Sequence, residues 1–160
     1  MDFQQKIKAQ SSFEFAGWED GRGMRLPVEG TVARGTLDDV QLSVYQNSAG
    51  DYVTSNPLPA SAETFARGQE RFNIYCAVCH DRAGSAKGLV LQRAPRGAFN
   101  PAVPDLAADP RLRAAPVGNL YETIANGRGT MPAYGHMVPA HDRWAIVWYL
   151  RALQNRMIEK

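Results

Sequence analysis

The pentapeptide Cys76-Ala77-Val78-Cys79-His80 constrains this chain more than any other stretch. Two thiols three positions apart on a helical turn can each add to one vinyl group of a haem, giving two thioether bonds. The histidine that follows then lies under the iron as its proximal ligand. C-x-x-C-H is the attachment signature of c-type haem, and a His-ligated haem supplies chemistry that no side chain can. The chain has two cysteines, and the motif uses both.

Other uses of the same residues fit less well. A thioredoxin-type C-x-x-C follows a strand and opens a long helix, whereas here a helical pattern precedes the motif and the loop Asp81 to Gly88 follows it. A structural zinc site needs four ligands, and the further candidates are only His136 and His141, without a second cysteine pair. A disulfide between Cys76 and Cys79 would be strained within one helical turn.

The bulk properties narrow the class. A length of 160 residues suggests one domain with an appendage. A net charge of +2, without a Lys/Arg run, does not point to nucleic acid. The longest apolar run, Trp144 to Leu150, is far too short to span a bilayer. No signal peptide is visible at Met1-Asp2-Phe3. Covalent haem is assembled beyond the cytoplasmic membrane, so the expectation is a mature chain on the extracytoplasmic, periplasmic face.

Residues 1–59 differ from the rest. They carry scattered aromatics (Phe3, Phe13, Phe15, Trp18), a glycine-rich turn at Asp20 to Gly23, and β-prone pieces such as Val40 to Tyr45. No periodicity persists there, yet the segment is too aromatic to be disordered linker. It reads as an irregular arm, either folded over its own haem domain or docked on partner subunits; the second is favoured, because exposed aromatics without a core of their own call for a partner surface. The haem domain is then 60–160.

From Ser61 the signals become regular. Ser61 suits an N-cap, with Glu63 in the first turn. Phe65, Gly68, Phe72 and Tyr75 mark one face of a helix leading into Cys76. Glycine inside a helix costs about 1 kcal/mol relative to alanine, so Gly68 implies close approach by another helix. Pro95, Pro101, Pro104, Pro110 and Pro116 break residues 89–116 into a loop with short turns at most. Leu120, Tyr121 and Ile124 predict a short helix ending at Asn126-Gly127. A terminal helix opens near Pro139 and runs to about Gln154, apolar over much of its circumference and so expected to be buried.

A six-coordinate electron-transfer haem needs a second axial ligand, and methionine sulfur favours Fe(II) and raises the potential. Met131 is the leading candidate, since Asn126 to Thr130 is glycine-rich enough to fold around a porphyrin edge and Pro132 stiffens the chain beside it. Met137 and His136 remain alternatives. A proximal histidine donates its free N–H to a carbonyl or carboxylate, and the Pro104 carbonyl is the candidate acceptor. Arg93, Arg96, Tyr134 and Trp144 are candidate donors to the haem propionates.

Residues 61–154 resemble a class I cytochrome c. The resemblance rests on the glycine- and aromatic-bearing helix ending in C-x-x-C-H, the Met131-Pro132 loop and the aromatic-rich last helix. It implies an all-α fold, a few helices around one covalent haem c with His80 and Met131 as axial ligands. It also places Gly68 and Phe72 against Trp148 or Tyr149, where first and last helices cross. Pro27 to Gly35, Arg71 to Cys76, Ala115 to Gly118 and Asp142 to Val147 are further similar to the monohaem cytochrome c subunit of bacterial alternative complex III. That likeness implies an electron carrier rather than an enzyme by itself, held in a membrane quinol:electron-acceptor oxidoreductase. Its partners would be multihaem and iron–sulfur subunits and a downstream redox protein or oxidase. Members of that family often begin with a lipoprotein cysteine; Met1 to Lys6 contain none. The alternatives are a freely diffusing shuttle and the cytochrome subunit of a dehydrogenase.

Overall fold

The computed structural model describes residues 4, 6–8, 10–34, 37–93 and 103–156. Their regular structure is helical: α1 (Leu37–Leu42), α2 (Ala62–Tyr75), α3 (Ala77–His80), α4 (Leu89–Arg93), α5 (Pro110–Ala114), α6 (Val117–Asn126) and α7 (Ala140–Arg156). Pairing among the described residues is limited to isolated β-bridges. The chain divides into two compact units, 1–34 and 35–160.

The larger unit is organised by the α2–α7 crossing. Ser61 holds extended dihedrals, and its hydroxyl accepts from the Thr64 N–H at 3.1 Å, which starts α2 where the sequence places it. Gly68 then meets α7: a Cβ on it would stand 2.1 Å from the Ala145 carbonyl oxygen and 3.0 Å from Tyr149 Cβ. Phe72, which is 1% exposed, packs its ring 5.3 Å from that of Tyr149, and Phe65 lies 5.7 Å from Trp148. These are the contacts expected of the first and last helices.

One contact at this crossing carries no apolar signal in the sequence. Asp142 is buried on α7, and the Arg67 guanidinium reaches both its oxygens, Nε to Oδ1 at 2.7 Å and Nη2 to Oδ2 at 2.9 Å. Arg71 Nε stands 3.2 Å from Oδ2. Two cations from α2 therefore compensate one buried carboxylate, as a charge removed from water requires. The Asp142 hydrogen bond is the main cause that raises the Arg67 pKa.

α6 ends where expected, at Gly127, whose φ of +77° few side chains tolerate. α7 opens one residue after Pro139, whose carbonyl accepts from Arg143 N–H at 3.0 Å. Trp144, Ala145, Ile146, Val147, Leu150 and Leu153 are buried, so α7 is covered around much of its circumference.

The division into compact units falls elsewhere than at residue 59, and the β-prone piece Val40 to Tyr45 begins inside a helix. Leu37–Leu42 is helical, and the division falls between Arg34 and Gly35. The cause is tertiary. The Leu42 carbonyl accepts from Trp144 Nε1 at 2.6 Å, and the Tyr45 ring stacks 5.7 Å from Tyr121. The Val53 carbonyl accepts from Gly118 N–H at 3.0 Å, and the Leu58 carbonyl from Trp148 Nε1 at 2.9 Å. The chain from α1 to Pro59 is thereby a cover for α6 and α7, and Leu58 joins the core.

The smaller unit is built on local contacts. Ser12 bridges to Arg22 and Phe15 to Trp18. Arg25 lies 4.1 Å from the Trp18 ring centroid and 5.3 Å from that of Phe15, and it pairs with Asp20 at 2.8 Å. Leu26 and Val28 are about four-fifths exposed.

Candidate haem site

Cys76 ends α2 and starts the next turn. Its N–H donates to the Phe72 carbonyl at 2.9 Å, while its own carbonyl accepts from Cys79 N–H at 3.1 Å and His80 N–H at 2.9 Å. One helical turn thus separates the two thiols, and both are free. Burial first, and Cys79 second, push the Cys76 thiol up to about 12, so it stays protonated at neutral pH. A thioether at that position would have no proton to lose.

His80 is buried, with 8% of its surface exposed. Desolvation lowers its pKa, and the Pro104 carbonyl and the Asp81 charge only partly offset it. The ring is held neutral, the form that ligates a metal. Its Nδ1 is buried and makes no hydrogen bond; the Pro104 carbonyl is the backbone group near enough to bear on the ring's pKa.

The loop after His80 returns onto the C-x-x-C-H turn. Asp81, at φ +54°, turns the chain and accepts from the Lys87 N–H at 3.1 Å and from the Ser85 hydroxyl. At Gly88 a Cβ would stand 2.3 Å from the Cys79 carbonyl carbon and 2.4 Å from the Val78 oxygen, so the approach needs glycine. Sequence reasoning missed both residues, although an acid after the motif and a glycine seven positions on were visible signals.

Tyr134 is half-buried, and its pKa is raised by burial and then by the charges of Cys79 and Cys76. Its N–H donates to the Ile124 carbonyl at 2.9 Å, tying the loop to α6. Met131 is half-buried in a tight turn, its N–H and carbonyl both paired with Arg128 at 3.0 Å. A Cβ on Gly127 would lie 2.5 Å from the Met131 carbonyl. Met137 and His136 are exposed. Arg93 ends α4 and is exposed; Arg96 lies outside the described residues.

Trp144 does not serve as a propionate donor. It is fully buried, stacks 4.4 Å from Tyr121, and spends its only N–H on the Leu42 carbonyl. It is a core residue.

The residues present fit a covalently held haem: paired thiols one turn apart, a buried neutral imidazole with an uncommitted nitrogen near a carbonyl, and a methionine on a braced loop. Among the described residues no group of three or more His, Cys, Asp or Glu could hold a metal.

Residues 63–150, just over half of the chain, match the family described as "Cytochrome C oxidase, cbb3-type, subunit III". No curated protein gives a significant match. Among solved structures, a chain of the reducing HAO-like protein complex of Kuenenia stuttgartiensis aligns with a TM-score of 0.52 at 18% identity. The match covers 64% of this chain and 49% of that one. Cytochrome CL of the marine methylotroph Methylophaga aminisulfidivorans aligns at 0.44 and 21% identity, covering 58% and 55%. The chain spans about half the length of these solved chains, and the first likeness bears on fold alone. The helical fold, the C-x-x-C-H turn and the family match agree: the chain belongs to the cytochrome c family of the cbb3-type subunit III kind, with a class I cytochrome c domain whose C-x-x-C-H turn has the spacing for covalent haem c.

Proposed function

We propose that this chain is the single-haem electron relay of a membrane quinol:acceptor oxidoreductase of the alternative complex III kind. Cys76 and Cys79 hold the haem, and His80 and Met131 are its axial ligands. The Pro104 carbonyl accepts from His80 Nδ1, and Tyr134, Arg93 and Arg96 are donors to the propionates. A bound c-type haem supplies one-electron transfer without bond-making. The protein orients the imidazole through Pro104, keeps it neutral by burial, and supplies a sulfur ligand that favours Fe(II).

Electrons enter from multihaem and iron–sulfur subunits and leave to a redox protein or terminal oxidase on the periplasmic face. Among the described residues no helix is long and apolar enough to cross a membrane, so membrane association runs through the partners. The observation that carries this reading is the 1–34 unit. It buries little, yet it exposes Trp18, Met24, Leu26 and Val28, with Trp18 and Met24 each about three-fifths exposed. Exposed apolar side chains in such a segment point to a docking surface, and a diffusing shuttle has no use for them. The matched family also takes its name from a subunit of a respiratory complex.

The test is gentle solubilisation of membranes, size-exclusion chromatography with haem staining, and identification of the proteins that copurify. Haem signal at high mass together with multihaem and iron–sulfur subunits is expected. Haem signal confined to the size of the free monomer would overturn the complex.

A further inference from the structure

Gln154 is a polar side chain buried in α7, 3% exposed, that neither haem attachment nor the α2–α7 crossing uses. Its Nε2 donates to the Leu106 carbonyl at 2.8 Å, and its Oε1 accepts from Arg151 Nη1 at 2.6 Å. The Leu106 N–H donates to the Gly84 carbonyl at 2.7 Å. Leu106 is therefore clamped through both backbone groups. On one side is α7, and on the other is the loop that leaves His80. Gly84 takes φ +75°, and a Cβ on it would make ordinary contacts, 3.4 Å from Leu106 Cβ and 3.6 Å from Leu153 Cδ1.

Arg151 secures the far end of the same segment. Its Nη1 donates to the Leu112 and Arg113 carbonyls at 3.2 and 3.0 Å, and its Nη2 to the Ala115 carbonyl. One turn of α7 thus pins residues 106–115 at both ends. Pro104, whose carbonyl acts on the His80 ring, is two residues before the clamp. An amide suits the middle position because it donates and accepts at once. A leucine of similar size would leave the half-buried Leu106 without the side-chain donor to its carbonyl, and the turn would relax to find another.

We propose that Gln154, oriented by Arg151, is a positioning residue that holds the Pro104–Leu106 turn in place behind His80 and thereby sets how near the Pro104 carbonyl stands to Nδ1. The proposal deepens the haem reading above and rests on it. A firm hydrogen bond to Nδ1 makes the imidazole a more basic ligand and favours Fe(III). Loosening the turn therefore raises the reduction potential and exposes the Nδ1 proton to exchange.

The experiment uses the haem-loaded full chain with Gln154→Leu, with Arg67→Met as a control. Arg67→Met weakens the α2–α7 crossing without touching residues 104–115. Haem content comes from the pyridine haemochrome, the potential from spectroelectrochemistry, and exchange of the His80 Nδ1 proton from ferric NMR. The expected result is full covalent haem in all three proteins, with roughly tenfold faster Nδ1 exchange and a raised potential in Q154L alone. If Q154L fails to take up haem, Arg151→Lys carries the test. It keeps the charge but loses the fork, and a shift in the same direction is expected. Unchanged exchange and potential in a haem-loaded Q154L or R151K overturn the positioning role. A shift of equal size in R67M overturns it too. A wild-type chain without covalent haem defeats the underlying haem reading instead, so the two failures are distinguishable.

Discussion

Gly68 on α2 faces the Ala145 carbonyl on α7 so closely that a Cβ would lie 2.1 Å from the oxygen. The obstacle is backbone, which cannot swing aside as a side chain would. Gly68→Ala gains about 1 kcal/mol of helix propensity but forces the helices apart and overpacks the core. A net loss of roughly 2 kcal/mol is expected, read as a lower urea midpoint of the haem-loaded protein. A G68A protein as stable as wild type would mean that the helices do not cross at this distance.

Asp142→Asn removes a charge held by two arginines. Arg67 and Arg71 keep part of their surface in water, so the cost lies below that of a fully buried broken pair, about 2 kcal/mol. Thermal unfolding checks it. In a double-mutant cycle with Arg67→Met, the double variant should lose clearly less than the sum of the two single losses. Strict additivity would show that the pair is not coupled.

Met131→Ala is expected to abolish the far-red charge-transfer band of a sulfur-ligated ferric haem and to lower the reduction potential. Met137→Ala and His136→Ala should leave both unchanged, since those side chains are exposed. Loss of the band in M137A with retention in M131A would reassign the ligand.

Asp109 caps α5 by accepting from the Arg111 N–H at 2.9 Å, and its pKa is lowered chiefly by the Arg111 side chain. A carboxylate with a depressed folded-state pKa contributes stability that is present above its unfolded value and lost as pH falls through the folded one. Asp109→Asn should therefore flatten the decline of the urea midpoint below about pH 4 and leave the alkaline side unaltered. An acid limb identical to that of wild type would exclude Asp109 from it.

The α2 and α7 helices were legible because their signals are local: a cap at Ser61, a glycine among aromatics, and a long apolar stretch after Pro139. The C-x-x-C-H turn was legible for the same reason, as one helical turn determines where its groups stand. Pro104 could be named because its loop had to supply an acceptor. Trp144 was misread because an indole N–H finds its partner through space, here the Leu42 carbonyl far away in sequence. Val40 to Tyr45 was misread because β propensity is weak beside the burial that α6 and α7 offer.

By itself, the sequence determined the covalent chemistry, the helical class and the closeness of the first and last helices. These depend on residue type and short spacing. Only the tertiary structure decided that residues 35–160 form one compact unit, that Asp142 is shared by two arginines, and that Gln154 and Arg151 brace the segment from Leu106 to Ala115. Each of these is a polar contact between residues tens of positions apart. A buried carbonyl or carboxylate must find a partner, but only the packing of the helices determines which one it meets.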